Sequence, residues 1–315
     1  MAEKTKIQPV PPSRHREALR FVVAGADRDE GCTARLAALQ AAADRAGREA
    51  TELWWARRRR RCVAAAMVLA RPGRTGMLFR SPADAPGVDR QALSEVVRGI
   101  AESALKRLYV VQAFLAPEAA KELAVLEAAG FTLLVELVNL RLELPAWPPA
   151  QTTQDRGPWS CRRYGEFDDS ELGAVISATY AGSLDCPALC GLRPMADVLA
   201  AHKTSGVFRP ESWWIFDFDG RAAGCILVNA AGASSDLVEV VYLGVCPSYR
   251  GRGLGRRMLR HAIEQVTRDG AAAVKLAVDS RNVYARDIYD QMGFGAIDRT
   301  RVMAQMRSAP QEAPE

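Results

Sequence analysis

The stretch Val245-Cys-Pro-Ser-Tyr-Arg-Gly-Arg-Gly-Leu-Gly-Arg-Arg-Met-Leu-Arg260 sets three glycines and five arginines between an apolar run and a helical pattern. Glycine lets the backbone approach a ligand closely, and the first amides of a helix lack acceptors within it. Such a junction suits a phosphate or pyrophosphate. Arg250, Arg252, Arg256 and Arg257 add positive charge, and a guanidinium can meet a phosphate with two donors. The spacing is Arg-x-x-Gly-x-Gly over Arg250, Gly253 and Gly255. It is not a Walker loop, because no Gly-Lys-Ser/Thr follows, nor does it have the Gly-x-Gly-x-x-Gly order of dinucleotide folds. Alone, the loop also reads as a turn with a solvated arginine face.

Three features align with it. Glu239 lies on the preceding strand, where alternation places Glu239, Val241 and Leu243 on one face and Gly244 permits a bulge. After the strand at 274–278, Asn282, Ala285 and Tyr289 sit at helical spacing, and Gly293-Phe294 closes that helix. A carboxylate can take a proton from an amine, and a tyrosine hydroxyl can give one to a leaving group. Backbone donors beside a bulge can meet a developing oxyanion. Structural readings stay open, with Glu239 as an exposed strand residue and Tyr289 as a core aromatic.

On these residues, the chain from about 160 to 307 resembles the GNAT superfamily of acyltransferases. Arg250-Gly-Arg-Gly-Leu-Gly255 corresponds to its pyrophosphate loop, and Asn282 to Tyr289 to the helix that follows. The resemblance implies an acetyl-coenzyme A site built on Leu243, Val245, Arg250, Gly251, Arg252, Gly253, Leu254, Gly255, Arg256 and Asn282, with the pantetheine arm between two splayed strands. It also implies that Glu239 takes a proton from the acceptor amine, directly or through water, and that Tyr289 protonates the departing thiolate. Tyr180 and Asp185, in the loop between the first two helices of this half, are candidates for the acceptor side, although Asp185 also reads as a helix cap. His202 reads as a surface histidine. Cys246 is the nearest candidate for a covalent nucleophile but has no histidine partner in sight, so direct attack in a ternary complex is expected.

The elements that must position these groups occur twice. Glu52-Leu-Trp-Trp55 answers Glu211-Ser-Trp-Trp214, and each is followed by strands ending at Ser81-Pro82 or Cys246-Pro247. A long helix pattern, a strand and a shorter helix ending in Gly130-Phe131 or Gly293-Phe294 come next. A period this long means duplicated domains. Hairpins beside a strand–helix–strand crossover imply an α/β fold of two tandem domains, each a mostly antiparallel sheet flanked by helices. The expected division is 1–146, a linker at 147–159, a catalytic domain at 160–308 and a disordered tail at 309–315. Counting back from the prolines puts Arg74 where Glu239 stands, and Leu126 stands where Tyr289 does. The first loop, 83–88, has one glycine and an acid. The first half therefore reads as the fold without the site, a tandem arrangement similar to that of the mycothiol synthases.

The 315 residues suit two domains, and 49% hydrophobic with 25% charged residues describe a globular chain. A net charge of +5 suits small anions and does not argue for nucleic acid. Seven scattered cysteines, without CxxC spacing, read as reduced thiols; Cys186 and Cys190, near Asp185, are the one pair placed to ligate a metal, and no metal is expected. Without an apolar leader or a run long enough to span a bilayer, a cytoplasmic protein is expected. The arginines at 57–61 read as a solvated loop tip or, as an alternative function, a nucleic-acid contact. The other alternative to an N-acetyltransferase is a module that senses acyl-coenzyme A without turnover.

Overall fold

A computed structural model describes residues 5–25, 31–144, 158–232, 234 and 236–307. The chain forms two compact units, 1–134 with 301–315, and 135–300. The halves drawn from the sequence, 1–146 and 160–308, differ from these by the last strand of each. All but the last two residues of the expected linker, and all of the expected tail, lie outside the described residues.

The first unit holds strands β1 (Lys6–Pro9), β2 (Thr51–Arg58), β3 (Arg61–Arg71), β4 (Thr75–Arg80) and β5 (Val110–Leu115), in that order. Residues 301–306 of the chain's last strand pair antiparallel to β5. Its helices are α1 (His15–Ala24), α2 (Gly31–Ala46), α3 (Arg90–Leu105) and α4 (Ala120–Ala128). The second unit repeats the order. It has β6 (Thr132–Glu143, of which 135–143 belong here), β7 (Trp159–Arg163), α5 (Asp169–Thr179), α6 (Met195–Lys203), β8 (Trp213–Phe218), β9 (Arg221–Ala230), β10 (Leu237–Val245), α7 (Leu254–Arg268), β11 (Ala273–Asp279) and α8 (Val283–Gln291). Last comes β12 (Gly295–Met306), divided between the units at residue 300. The sheet order here is β6-β11-β10-β9-β8-β7, with only β10 and β11 parallel among its described pairings. The short edge strands β1 and β7 are additions to the expected order.

Local chemistry accounts for these elements. The turn between β8 and β9 places Asp219 at φ 49° and Gly220 at φ 71°, the two-residue geometry whose twist matches paired strands. In α5 the Asp168 side chain caps the helix by accepting from the Glu171 amide at 2.9 Å. On α7, Leu254, Met258, Leu259, Ala262, Ile263 and Val266 recur at helical spacing, and all are buried against Val238, Val240, Val274 and Leu276 of the sheet. Truncating a residue such as Leu259 to alanine would cost about 2–5 kcal/mol. The opposite face carries Trp213, Ile215, Cys225 and Leu227 under α5 and α6.

The repeat also corrects one correspondence. Met77 pairs with Gln112 in the first unit as Glu239 pairs with Lys275 in the second. The counterpart of Glu239 is therefore Met77, while Arg74 sits in the preceding turn at φ 50°. Equal counting overshoots because eight residues separate Glu239 from Pro247 but five separate Met77 from Pro82. Leu126 does match Tyr289: Phe131 and Phe294 each donate an amide hydrogen bond to that residue's carbonyl, at 2.9 and 3.1 Å. At the start of α3 the Asp89 carboxylate accepts from the Ala92 amide at 3.0 Å, and Glu122 accepts from the Ala83 amide at 3.1 Å. Carboxylates thus fill the place where an anion would sit.

Candidate acyl-donor and acceptor site

Strands β10 and β11 pair over three positions, the last being Glu239 with Lys275. A bulge between Val240 and Tyr242 then changes the register of β10 against β9. The extra residue reverses the alternation. Glu239, Val241 and Tyr242 lie on the α5–α6 side, whereas Leu243 and Val245 pack toward α7. This corrects the expectation that Glu239, Val241 and Leu243 share a face, and it moves the bulge from Gly244 to Val241.

Past the bulge β10 has no β11 partner, and a cleft of about 800 Å³ opens there. Leu243, Gly244 and Val245 form one wall; Gly251, Gly253, Leu254 and Gly255 form the floor. Asn282, the N-cap of α8, stands opposite with Ala285 and Ile288 of that helix, and Tyr180, Ser183 and Asp185 border the mouth.

The floor is built for an anion. Gly251 and Gly253 adopt φ +73° and +75°, and a Cβ on either would meet nothing within 4 Å. Gly253 occupies the N-cap position of α7 without a side-chain cap. The amides of Leu254, Gly255 and Arg256 therefore have no acceptor in the helix and lie at the positive end of its dipole.

The arginine side chains do something other than expected. Arg252 lies over the rings of Phe218 and Tyr249, each 5.9 Å away, and Arg257 lies over Trp159 at 5.4 Å. Neither these two nor Arg256 lines the cleft. Arg250 does border it, but its Nε donates to the Val245 carbonyl at 3.0 Å, Nη1 to Gly182 at 3.1 Å and Nη2 to Thr179 at 2.8 Å. The positive character of the floor thus comes from backbone amides more than from guanidinium groups. Asn282 caps α8 by accepting from the Ala285 amide at 3.3 Å.

The acid–base candidates flank the cleft without lining it. Glu239 sits where the strands part, half-buried, with Lys275 Nζ 3.1 Å from its carboxylate. Tyr289 is buried, 5.7 Å from the Phe294 ring. Burial raises its phenol well above the ordinary tyrosine range, and the Asp185 charge adds to the effect. Asp185 accepts from the Asp279 amide at 3.2 Å, and Asp279 accepts from the Cys186 amide at 3.3 Å. Loss of hydration raises Asp185, against the hydrogen bond it accepts. Burial alone would raise Asp279, yet Arg281, with Nη2 at 2.7 Å, and the neighbouring amides hold it low.

His202 is not the surface residue expected. Its ring is half-buried, 5.3 Å from Tyr242, whose hydroxyl meets Thr179 Oγ1. Burial, with the charge of Arg193, lowers its pKa to about 4. Cys246 is buried, and burial raises its thiol above the ordinary range. Lys275 and the Thr179–Tyr242 pair escaped the sequence reading, because strand register and contacts 63 residues apart leave no local signal.

With this geometry in view, residues 186–294 match the acetyltransferase (GNAT) family, and the chain carries an acetyltransferase domain of that family. Its sequence is similar to the mycothiol acetyltransferases of Mycobacterium leprae, 30% identical over 176 residues (52% of this chain, 55% of that protein), and of Mycolicibacterium gilvum, 32% identical over 182 residues (56% and 57%). The chain thus spans little more than half the length of these relatives. In fold it is similar to a GCN5-related N-acetyltransferase from Sphaerobacter thermophilus, with TM-score 0.61, 16% identity and 96% coverage of both chains. A tandem GNAT protein from the clavulanic acid biosynthesis pathway aligns with TM-score 0.53, 16% identity and coverage of 98% and 100%. Among the described residues no helix is long and apolar enough to cross a membrane.

Proposed function

We propose that this protein is an N-acetyltransferase that moves an acetyl group from acetyl-coenzyme A to a primary amine by direct attack. The observation that carries the reading is the cleft where β10 and β11 part, floored by the uncapped start of α7. Gly251, Gly253, Leu254 and Gly255 would hold the pyrophosphate through their backbone, and Leu243 and Val245 would flank the pantetheine arm. Bound acetyl-coenzyme A would supply an acyl group activated as a thioester.

The chain's own groups supply the rest. Glu239, at the closed end of the cleft, removes a proton from the amine nitrogen, directly or through water. Lys275 holds that carboxylate in place beforehand. Tyr289, a phenol protonated at neutral pH with its pKa raised further by burial, gives its proton to the departing sulfur. The raised thiol of Cys246 leaves little thiolate for covalent catalysis. Tyr180 and Asp185 contribute to the amine side. The first unit keeps the fold without a donor site, its α3 start being filled by Asp89. We take the protein to act in the cytoplasm, where its donor is found.

Calorimetric titration with acetyl-coenzyme A tests the reading first. One site per chain is expected, abolished by Gly253→Glu. Release of free coenzyme A thiol is then followed across an amine panel, starting with mycothiol-related amines because of the relatives' name. Binding without thiol release from any amine would refute the enzyme and leave a sensor of acyl-coenzyme A.

A further inference from the structure

The three hydrogen bonds of Arg250 assign it a task other than phosphate binding. One acceptor is the Val245 carbonyl at the end of β10; the other two, Thr179 and Gly182, belong to the end of α5 and the loop beyond it. The last carbonyls of a helix lack partners within it and carry the negative end of its dipole. Arg250 therefore acts as a cationic cap for α5, delivered from a segment 71 residues away. The approach is close, since a Cβ on Gly182, at φ +64°, would come within 3.3 Å of Arg250 Nη1.

The same loop is fastened at its far end by Asp185 and Cys186 to Asp279 of β11. Thr179 is also tied to Tyr242, beside the bulge. Residues 179–186 thus run across the mouth of the cleft from the β10 side to the β11 side, held at both ends. Between the fastenings lie Tyr180 and Ser183, which with Asp185 border the cleft.

We propose that Arg250 is a positioning residue for the acceptor: it holds the 179–186 loop over the cleft, while the backbone alone binds the donor's pyrophosphate. The proposal rests on the acetyltransferase reading for its kinetic consequence but not for its structural one. A planar guanidinium reaches three carbonyls in three directions, which a lysine ammonium cannot reproduce.

The test uses the full chain with Arg250→Lys and Arg250→Ala. Hydrogen exchange of the 179–186 amides should quicken at least tenfold in both variants, while the α7 amides beyond the first turn stay as protected as in the wild type. Coenzyme A should bind within twofold of wild type, with the same salt dependence, in both. Acceptor KM should rise about tenfold or more, equivalent to about 1.4 kcal/mol, with kcat changed less. Unchanged exchange across 179–186, or coenzyme A binding weakened tenfold by alanine and restored by lysine, would overturn the proposal in favour of a phosphate contact. Failure of the wild type to turn over any amine would remove the acetyltransferase reading, and the exchange and binding measurements would still decide the role of Arg250.

Discussion

Replacing His202 with phenylalanine should make the protein less sensitive to mild acid. The imidazole packs against Tyr242 on the core side of α6, and burial followed by the charge of Arg193 lowers its pKa from 6.5 to about 4. Between those values the unfolded chain binds a proton that the folded chain refuses. Stability therefore falls as pH drops below 6.5, and the loss levels off near the folded value of about 4. At about 1.4 kcal/mol per pH unit the histidine costs roughly 2 kcal/mol between pH 7 and 5. With a urea dependence of about 1–3 kcal/mol per molar, that moves the midpoint by about 1 M. Phenylalanine keeps a ring against Tyr242 and cannot titrate, and the Asn229 hydrogen bond to the residue 202 carbonyl is untouched. Urea melts of both proteins at pH 7 and pH 5, at one ionic strength, give the comparison. The wild-type midpoint should fall by about 1 M more than that of His202→Phe. Parallel falls in the two proteins would show that the ring protonates freely when folded, and the burial argument would be wrong.

Other outcomes follow from the same geometry. Tyr289→Phe keeps the packing against Phe294 and should lower kcat about 10- to 100-fold, with coenzyme A binding within twofold by calorimetry. Because burial raises the phenol, its proton is retained as pH rises, so the wild-type rate should show no fall from Tyr289 up to about pH 10. Glu239→Gln should lower kcat/KM for the amine about 100-fold at pH 7, and a loss below threefold would remove it as the base. Cys246→Ala should leave kcat within threefold, and intact-mass measurement during turnover should find no acylated chain; an adduct lost in the variant would favour a covalent route.

Several parts of this protein are visible in the residues themselves. The glycine-rich loop is one, because φ values of +73° and +75° are a property of the single residue and call for glycine. The amphipathic spacing of α7, the Asp219-Gly220 turn and the Asn282 cap are others, each settled within a few residues. The repeat is visible too, because it compares one string with another. The arginines of the loop show where such reading stops. Their charge suggested phosphate, whereas Arg252 and Arg257 turn to aromatic rings and Arg250 to three carbonyls.

By itself, then, the sequence determined the repeated order of elements and the loop that could cradle an anion, and it offered Glu239 and Tyr289 as the groups proposed to move protons. Only the tertiary structure decided where β10 and β11 part, which face Leu243 takes after the bulge and that Met77 is the counterpart of Glu239 in the repeat. It also decided which last strand completes which unit, that His202 is half-buried against Tyr242 and that Arg250 spans 71 residues to cap α5. The physical reason is range. Backbone preference and helical periodicity act over a few residues, while strand register, burial and the partners of a long charged side chain depend on segments that meet only when the chain folds.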